Sequence, residues 1–298
     1  MNEKLLLEKY SDIEGRAIPI KNFLHDNLDN ERYEKFYKGF LPLQSPIVYE
    51  PEILFLGYNP GAGAYFEAKN NKKEEPPVRI ITRKNDSFTQ VELDWYKDGC
   101  AYGKFQNPKE KKGWESYKWY QTDKQVNNDF PVRMLKLLNE VAKIKYPMDK
   151  NSFNSLPSWY QTLGQNIIYY NLYPIATTNI SDLRKIHTAL SKEKSLLKFW
   201  QQSKGSEKRI NNWVVRKYFI EIVTDLIELT RPKIIVCLGV ETFNDFCFTK
   251  RNRKSTLFKE RIIKGSLYPV VGIDRSGNWS GRIPEFAKKI VENQKPSC

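Results

Sequence analysis

The sequence predicts an α/β fold: a doubly wound, mainly parallel four-stranded sheet flanked by helices, with a long aromatic and basic insertion after the first strand. Three observations carry that expectation. Short apolar runs at 53–56, 167–170, 234–238 and 267–273 lack alternation and end at turn residues, as strands buried on both faces do. Amphipathic stripes of helical period lie between them. Strands alternating with helices favour a parallel sheet with helices on its faces.

Taken in order, residues 1–50 read as a helical and loop preamble. Glu31 to Tyr37 has near-helical spacing, and Pro42, Pro46 and Pro51 then hold the chain extended up to the first strand. That strand, Ile53-Leu54-Phe55-Leu56-Gly57, runs straight into Tyr58-Asn59-Pro60-Gly61. By itself Asn-Pro-Gly reads as a turn. A turn at the carboxyl end of a strand in an open α/β sheet also stands where ligands bind, so Asn59 is directed toward a site.

From Tyr65 to Asp129 aromatic residues alternate with lysines. Such a stretch suits either a surface that stacks on bases or a packed cap with solvated lysines. Residues 65–130 are assigned as an insertion or lid within a single domain spanning 1–298. Pro131 to Val141 reads as a helix, with Met134, Leu135, Leu138 and Val141 on one face. The second strand, Ile167 to Tyr170, ends at Asn171, and the loop 172–178 leads to a helix opening near Ser181 and Asp182. His187 on that helix is read as an ordinary or DNA-proximal residue.

Trp213 to Leu229 carries a helical stripe through Val214, Tyr218, Ile222, Leu226 and Leu229. It enters the third strand, Ile234 to Leu238, through Arg231-Pro232, and Val240 to Phe246 continues as a helix. Phe248 to Phe258 is read as a basic connection. Leu267 to Ile273 supplies the fourth strand, and a helix with Pro284 in its first turn closes the chain.

Composition narrows the partners. Lysine and arginine number 49 against 35 acidic residues, a formal charge of +14 that suits a polyanion such as nucleic acid. The four cysteines, Cys100, Cys237, Cys247 and Cys298, form no CxxC pair and no metal-ligand spacing, so neither a metal nor another cofactor is expected. Cys237 reads as a small core residue. The first residues hold no signal-peptide apolar core, and no run is long enough to span a bilayer, so a cytoplasmic location and no membrane partner are expected. No sequence feature names a protein partner.

Three segments together resemble the uracil-DNA glycosylase superfamily. Gly57-Tyr58-Asn59-Pro60-Gly61 resembles its first motif, Ile167 to Pro174 its second strand ending in an Asn, and Pro232 to Gly239 its third strand, entered through Pro-Lys. The resemblance implies hydrolysis of the bond between deoxyribose and a flipped base. It implies that Asn59 positions the attacking water and that Tyr58 and Gly61 flank it. It further implies that Tyr65 or Phe66 stacks on the base and that Asn171 reads a pyrimidine edge. The family's last strand commonly ends in His-Pro-Ser or Asn-Pro-Ser. Here the matching residues are Asp274-Arg275-Ser276-Gly277, so the His and Pro are missing, and Arg275, Ser276 and Gly277 are assigned to DNA contact.

Asn in the first motif resembles the mismatch-specific branch, acting on uracil or thymine opposite guanine. The insertion also suits a roomier pocket for a bulky modified cytosine, such as glucosylated hydroxymethylcytosine in phage DNA, as antiviral defence. Two other readings stay open. One is a non-catalytic module of the same fold that binds modified DNA. The other, ranked last for want of a phosphate loop or a nucleophile elbow, is a hydrolase of small nucleotides.

Overall fold

The computed structural model describes residues 1–27, 29–37, 39–43, 45, 47–60, 129–146, 166–249, 256–275 and 279–294. Of the sequence assignments, Gly61, Tyr65, Phe66, Ser276, Gly277, Cys100, Cys298 and all of the 65–130 insertion but its last two residues lie outside them. In chain order the elements are helices α1 (Glu3–Gly15), α2 (Ile18–Asp26) and α3 (Glu31–Glu34), strands β1 (Gly39–Phe40) and β2 (Ile53–Gly57), and helix α4 (Asp129–Lys145). Strands β3 (Ile167–Asn171) and β4 (Ile175–Ala176) follow, then helices α5 (Ile180–Leu190), α6 (Leu197–Ser203) and α7 (Asn212–Thr230). Strand β5 (Ile235–Leu238), helix α8 (Val240–Phe246), strands β6 (Thr256–Ile263) and β7 (Ser266–Ile273) and helix α9 (Ile283–Asn293) complete the chain.

The described residues fall into two compact units. One gathers Met1–Leu43, residues 59–60 and Asn171–Leu229; the other holds 45–58, 129–146, 166–170 and the described residues from 230 onward. Among the crossings of the chain between them are Tyr58–Asn59, Tyr170–Asn171 and Leu229–Thr230.

The second unit is the α/β layer. Its sheet has five strands in the order β3-β2-β5-β7-β6, one more than the sequence predicted. β2 runs parallel to β5, and β5 to β7. A bond from Glu52 N to Asn166 O joins the starts of β2 and β3, so these also run the same way. The added strand is β6, paired antiparallel with β7 through the two-residue turn Lys264-Gly265, whose φ angles of 48° and 84° are those of a tight hairpin. Its residues 256–258 fall in what reads in sequence as a basic connection. The Lys259-Glu260-Arg261 centre hides it, because an edge strand tolerates charge that an inner strand does not.

The four parallel strands read as near-continuous apolar runs because both of their faces are buried. Ile53, Phe55, Ile167, Tyr169, Val236, Leu238, Val271 and Ile273 form one face, packed on Met134, Leu138 and Val141 of α4 and on Ile283, Phe286 and Ile290 of α9. Each large side chain taken from water there contributes about 1.5–3 kcal/mol. On the opposite face Gly272 admits α8: a Cβ built on it would lie 2.7 Å from the Phe243 ring. Helices therefore cover both faces.

The first unit is mainly helical. The stripe read along α7 is buried throughout, from Val214 to Leu229. Tyr218 donates to Arg16 O at 2.8 Å, and Trp200, Tyr218, Phe219, Tyr173 and His187 stack edge-on or tilted into one aromatic core. The stretch 172–178, expected to be a loop, contains β4, which pairs antiparallel with β1 through Gly39↔Ala176 and Phe40↔Ile175. Two residues are too few for periodicity to register. Helix α5 starts at Ile180 with Asn179 as its cap, accepting from Asp182 N at 2.9 Å, two or three residues before Ser181 or Asp182.

Among the described residues no helix is long and apolar enough to cross a membrane.

Candidate functional site

Sheet order decides where a ligand would sit. The chain goes from β2 to β3 on one side, then returns to place β5 on the other, so the connections part at β2 and β5. In open α/β sheets ligands bind outside the carboxyl ends of strands at such a switch point. Gly57 of β2 is in register with Leu238 of β5 at that edge. Beyond Leu238 stands Gly239 with φ of 130°, a backbone that other residues rarely adopt. A Cβ on Gly239 would stand 4.0 Å from Arg275 Nε, so the exposed Arg275 overhangs this end of β5. Tyr58 is buried at 4% exposure.

Asn59 follows β2 by two residues and is half-buried. Its side-chain nitrogen donates to Pro60 O at 3.0 Å, to Ile175 O at 3.2 Å and to Thr177 Oγ1 at 3.0 Å. Two N–H groups facing three acceptors fix the amide plane and its sense, and the carbonyl oxygen becomes the end turned away from them. Thr177 is buried, and its hydroxyl in turn donates to Asn179 O at 2.8 Å. Asn179 caps α5, so the orientation of Asn59 is set from a helix terminus through one hydroxyl. Thr177 is the residue that sequence reasoning missed. No periodicity or motif marks it; only the fold of the β4 segment brings it to Asn59.

Asn171, the last residue of β3, is fully buried. Its backbone N–H donates to Pro42 O at 2.7 Å and its Nδ2 to Leu41 O at 2.8 Å. Its Oδ1 is buried and has no partner. A buried acceptor without a partner costs about 1–3 kcal/mol, a cost relieved if a ligand N–H fills it.

The aromatic core behind the β4 segment holds a second group of this kind. His187 is fully buried with neither ring nitrogen partnered, 5.1 Å from Tyr173 ring to ring. Burial, with the Arg216 cation adding to it, lowers its pKa to about 3, so the imidazole is neutral at physiological pH. Arg216 bonds Tyr173 OH through Nε at 3.2 Å and lies over the Trp213 ring at 5.0 Å.

At the other end of β2 the chemistry differs. Glu52 accepts from Lys145 and Lys233, and Gln294 Nε2 donates to it at 2.8 Å. Burial alone would raise its pKa, but the two ammonium groups outweigh that and hold it below the usual carboxylate range. Cys237 and Cys247 are buried free thiols; burial raises both pKa values, that of Cys247 to about 12, so neither is a nucleophile at neutral pH.

The chain matches no protein-family model and no curated protein.

Proposed function

We propose that this protein is a DNA glycosylase that flips out a damaged or modified pyrimidine and hydrolyses its N-glycosidic bond, leaving an abasic site. The observation that carries the reading is the clamped amide of Asn59. Glycosidic cleavage builds positive charge on the sugar while the bond electrons leave with the base, so the water that adds to the anomeric carbon must be held in line. An amide is a poor base. Its use is to accept from that water in one fixed direction, and the three acceptors on Nδ2 supply the fixing. The water's second proton is lost to solvent or to the departing base.

Asn171 supports the same reading from the recognition side. Its unpartnered Oδ1 needs a donor, and uracil N3–H, thymine N3–H and the N4 amino group of a cytosine each provide one. The overall charge of +14 suits a phosphate backbone, and Arg275 over the end of β5 is a candidate phosphate contact. Whether the substrate is a uracil-type base or a bulky modified cytosine turns on the 65–130 insertion.

A second reading has its own support. No carboxylate stands at position 59 and no His in Asp274-Arg275-Ser276-Gly277, which favours a module that binds modified DNA without cutting it. Labelled oligonucleotides carrying uracil or thymine opposite guanine, hydroxymethylcytosine or its glucosylated form, treated with alkali after incubation, decide between the two. Strand cleavage at one base class, reduced about 100-fold or more by Asn59→Ala, is the expected result. Binding without cleavage on every substrate leaves the non-catalytic module.

A further inference from the structure

Charge is distributed unevenly along the first unit. Residues 184–217 carry ten lysines and arginines against only Glu193 and Glu207, whereas 218–229, with which this unit ends, carry none against Glu221, Asp225 and Glu228. The break falls within α7, between Lys217 and Glu221. Most of the basic side chains in this segment, including Arg184, Lys192, Lys194, Lys198, Lys208 and Arg209, are exposed.

Packing joins the three helices that carry them. Trp200 of α6 donates through Nε1 to Leu190 O at the end of α5, at 2.9 Å. Asn212 at the start of α7 bonds Thr188 on the exposed face of α5 at 3.4 Å, one turn from Arg184. Cations in this region also lie over rings: Lys185 over Phe36 at 4.5 Å, Lys198 over Phe199 at 5.0 Å and Arg216 over Trp213 at 5.0 Å. Arg216 then links this segment, through Tyr173 OH, to the stretch that holds Asn171 and Thr177.

We infer that the α5–α7 segment, residues 184–217, is a surface that binds a nucleic-acid phosphate backbone and leads it toward the Asn171–Thr177 segment. This rests on nucleic acid being the partner, not on base excision. The observations favour nucleic acid over an anionic membrane. The exposed large apolar side chains among the described residues, from Met1 to Leu267, all lie outside 184–217, so the surface has nothing to insert into a bilayer. Phosphate neutralisation needs only the cations.

The test is the salt dependence of binding to a fluorescein-labelled duplex by the full chain. The variant Lys192→Glu/Lys194→Glu/Lys198→Glu is compared with Lys4→Glu/Lys9→Glu/Lys288→Glu, which alters net charge equally at exposed positions elsewhere. The first variant should bind about tenfold more weakly at about 100 mM salt, with its log–log salt slope smaller by about 2–3, and the control should stay within about twofold of the parent. Equal losses in both variants would overturn the surface and leave net charge as the cause. So would binding to phosphatidylserine vesicles but not to the duplex. Base release at saturating duplex separates this inference from the enzymatic one. A parent that binds through this segment but releases no base keeps the surface and sinks the glycosylase. A parent that releases base while the first variant binds as the parent does keeps the enzyme and sinks the surface.

Discussion

The two ends of strand β2 use polar residues in opposite ways. Before its first residue, Glu52 is saturated: two ammonium groups and a glutamine amide meet its carboxylate, and Gln294 also bonds its backbone carbonyl. After its last residue the polar groups are oriented but not exhausted. Asn59 has its nitrogen committed and its oxygen turned away, and Asn171, after neighbouring β3, keeps a buried acceptor with no partner. Burial penalises both ends alike. A group whose bonding is complete supports the fold, whereas one held rigid with bonding capacity left over keeps an acceptor that a donor can still fill.

The contrast is testable by making the same kind of change at both ends. Asn171→Leu removes the unpartnered oxygen along with one bond to Leu41 O, and these effects nearly offset, so stability should move by no more than about 1 kcal/mol. Base release should fall about 100-fold or more, because a buried site built to bond a donor discriminates strongly through that bond. Glu52→Leu takes the carboxylate from Lys145 and Lys233 and should cost about 3 kcal/mol in urea unfolding, with any base release per folded molecule unchanged. A large stability loss at Asn171, or a loss of activity at Glu52, would break the comparison.

How much of this was legible in the sequence follows from the range of the interactions. The parallel strands announced themselves because burial on both faces forces unbroken apolar runs. Helices α4, α7 and α9 did so because each has one buried stripe. Cys237 reads correctly as core for the same reason. Local signals also placed Asn59 and Asn171 at strand ends. What escaped depends on distant residues: Thr177 matters because β4 carries it to Asn59, 118 positions away in sequence, and β6 was masked by charges that suit an edge. The Glu52 cluster, assembled from Lys145, Lys233 and Gln294, had no sequence signature at all.

His187 is where the comparison is most exposed, since it too is buried with unpartnered nitrogens. If leftover capacity always meant function, His187→Phe would abolish base release. We expect instead that any base release persists and that only the acid limb of stability changes, because the ring is enclosed by Tyr173 and Phe219. The sign follows from the lowered pKa. The unfolded imidazole protonates near 6.5 and the folded one near 3, so the unfolded state binds the extra proton between those values. Stability is complete above 6.5 and falls by roughly 1.4 kcal/mol per pH unit below it. Glu52 acts lower, its contribution being present above its unfolded value and lost as pH falls through its depressed folded value. Urea midpoints for His187→Phe should therefore be flatter than the parent's between pH 6.5 and the carboxylate range, while both decline below it.

The smallest expected effect sharpens the structural side. On β7 the contact is tight in volume: a Cβ on Gly272 would come within 2.7–2.8 Å of Phe243 Cβ and of two of its ring carbons. Gly272→Ala must push α8 off the sheet or turn that ring and should cost about 1–3 kcal/mol. Phe243→Leu alone leaves a gap and costs about 1 kcal/mol. The double variant should lose less than the sum of the two single losses, with a coupling energy of at least about 0.5 kcal/mol, because a leucine, free of the ring's far carbons, can turn its Cγ and Cδ atoms away from the methyl. Additive losses would mean that the layer between α8 and β7 yields to a methyl, and that tight completion is not what separates supporting positions from Asn59 and Asn171.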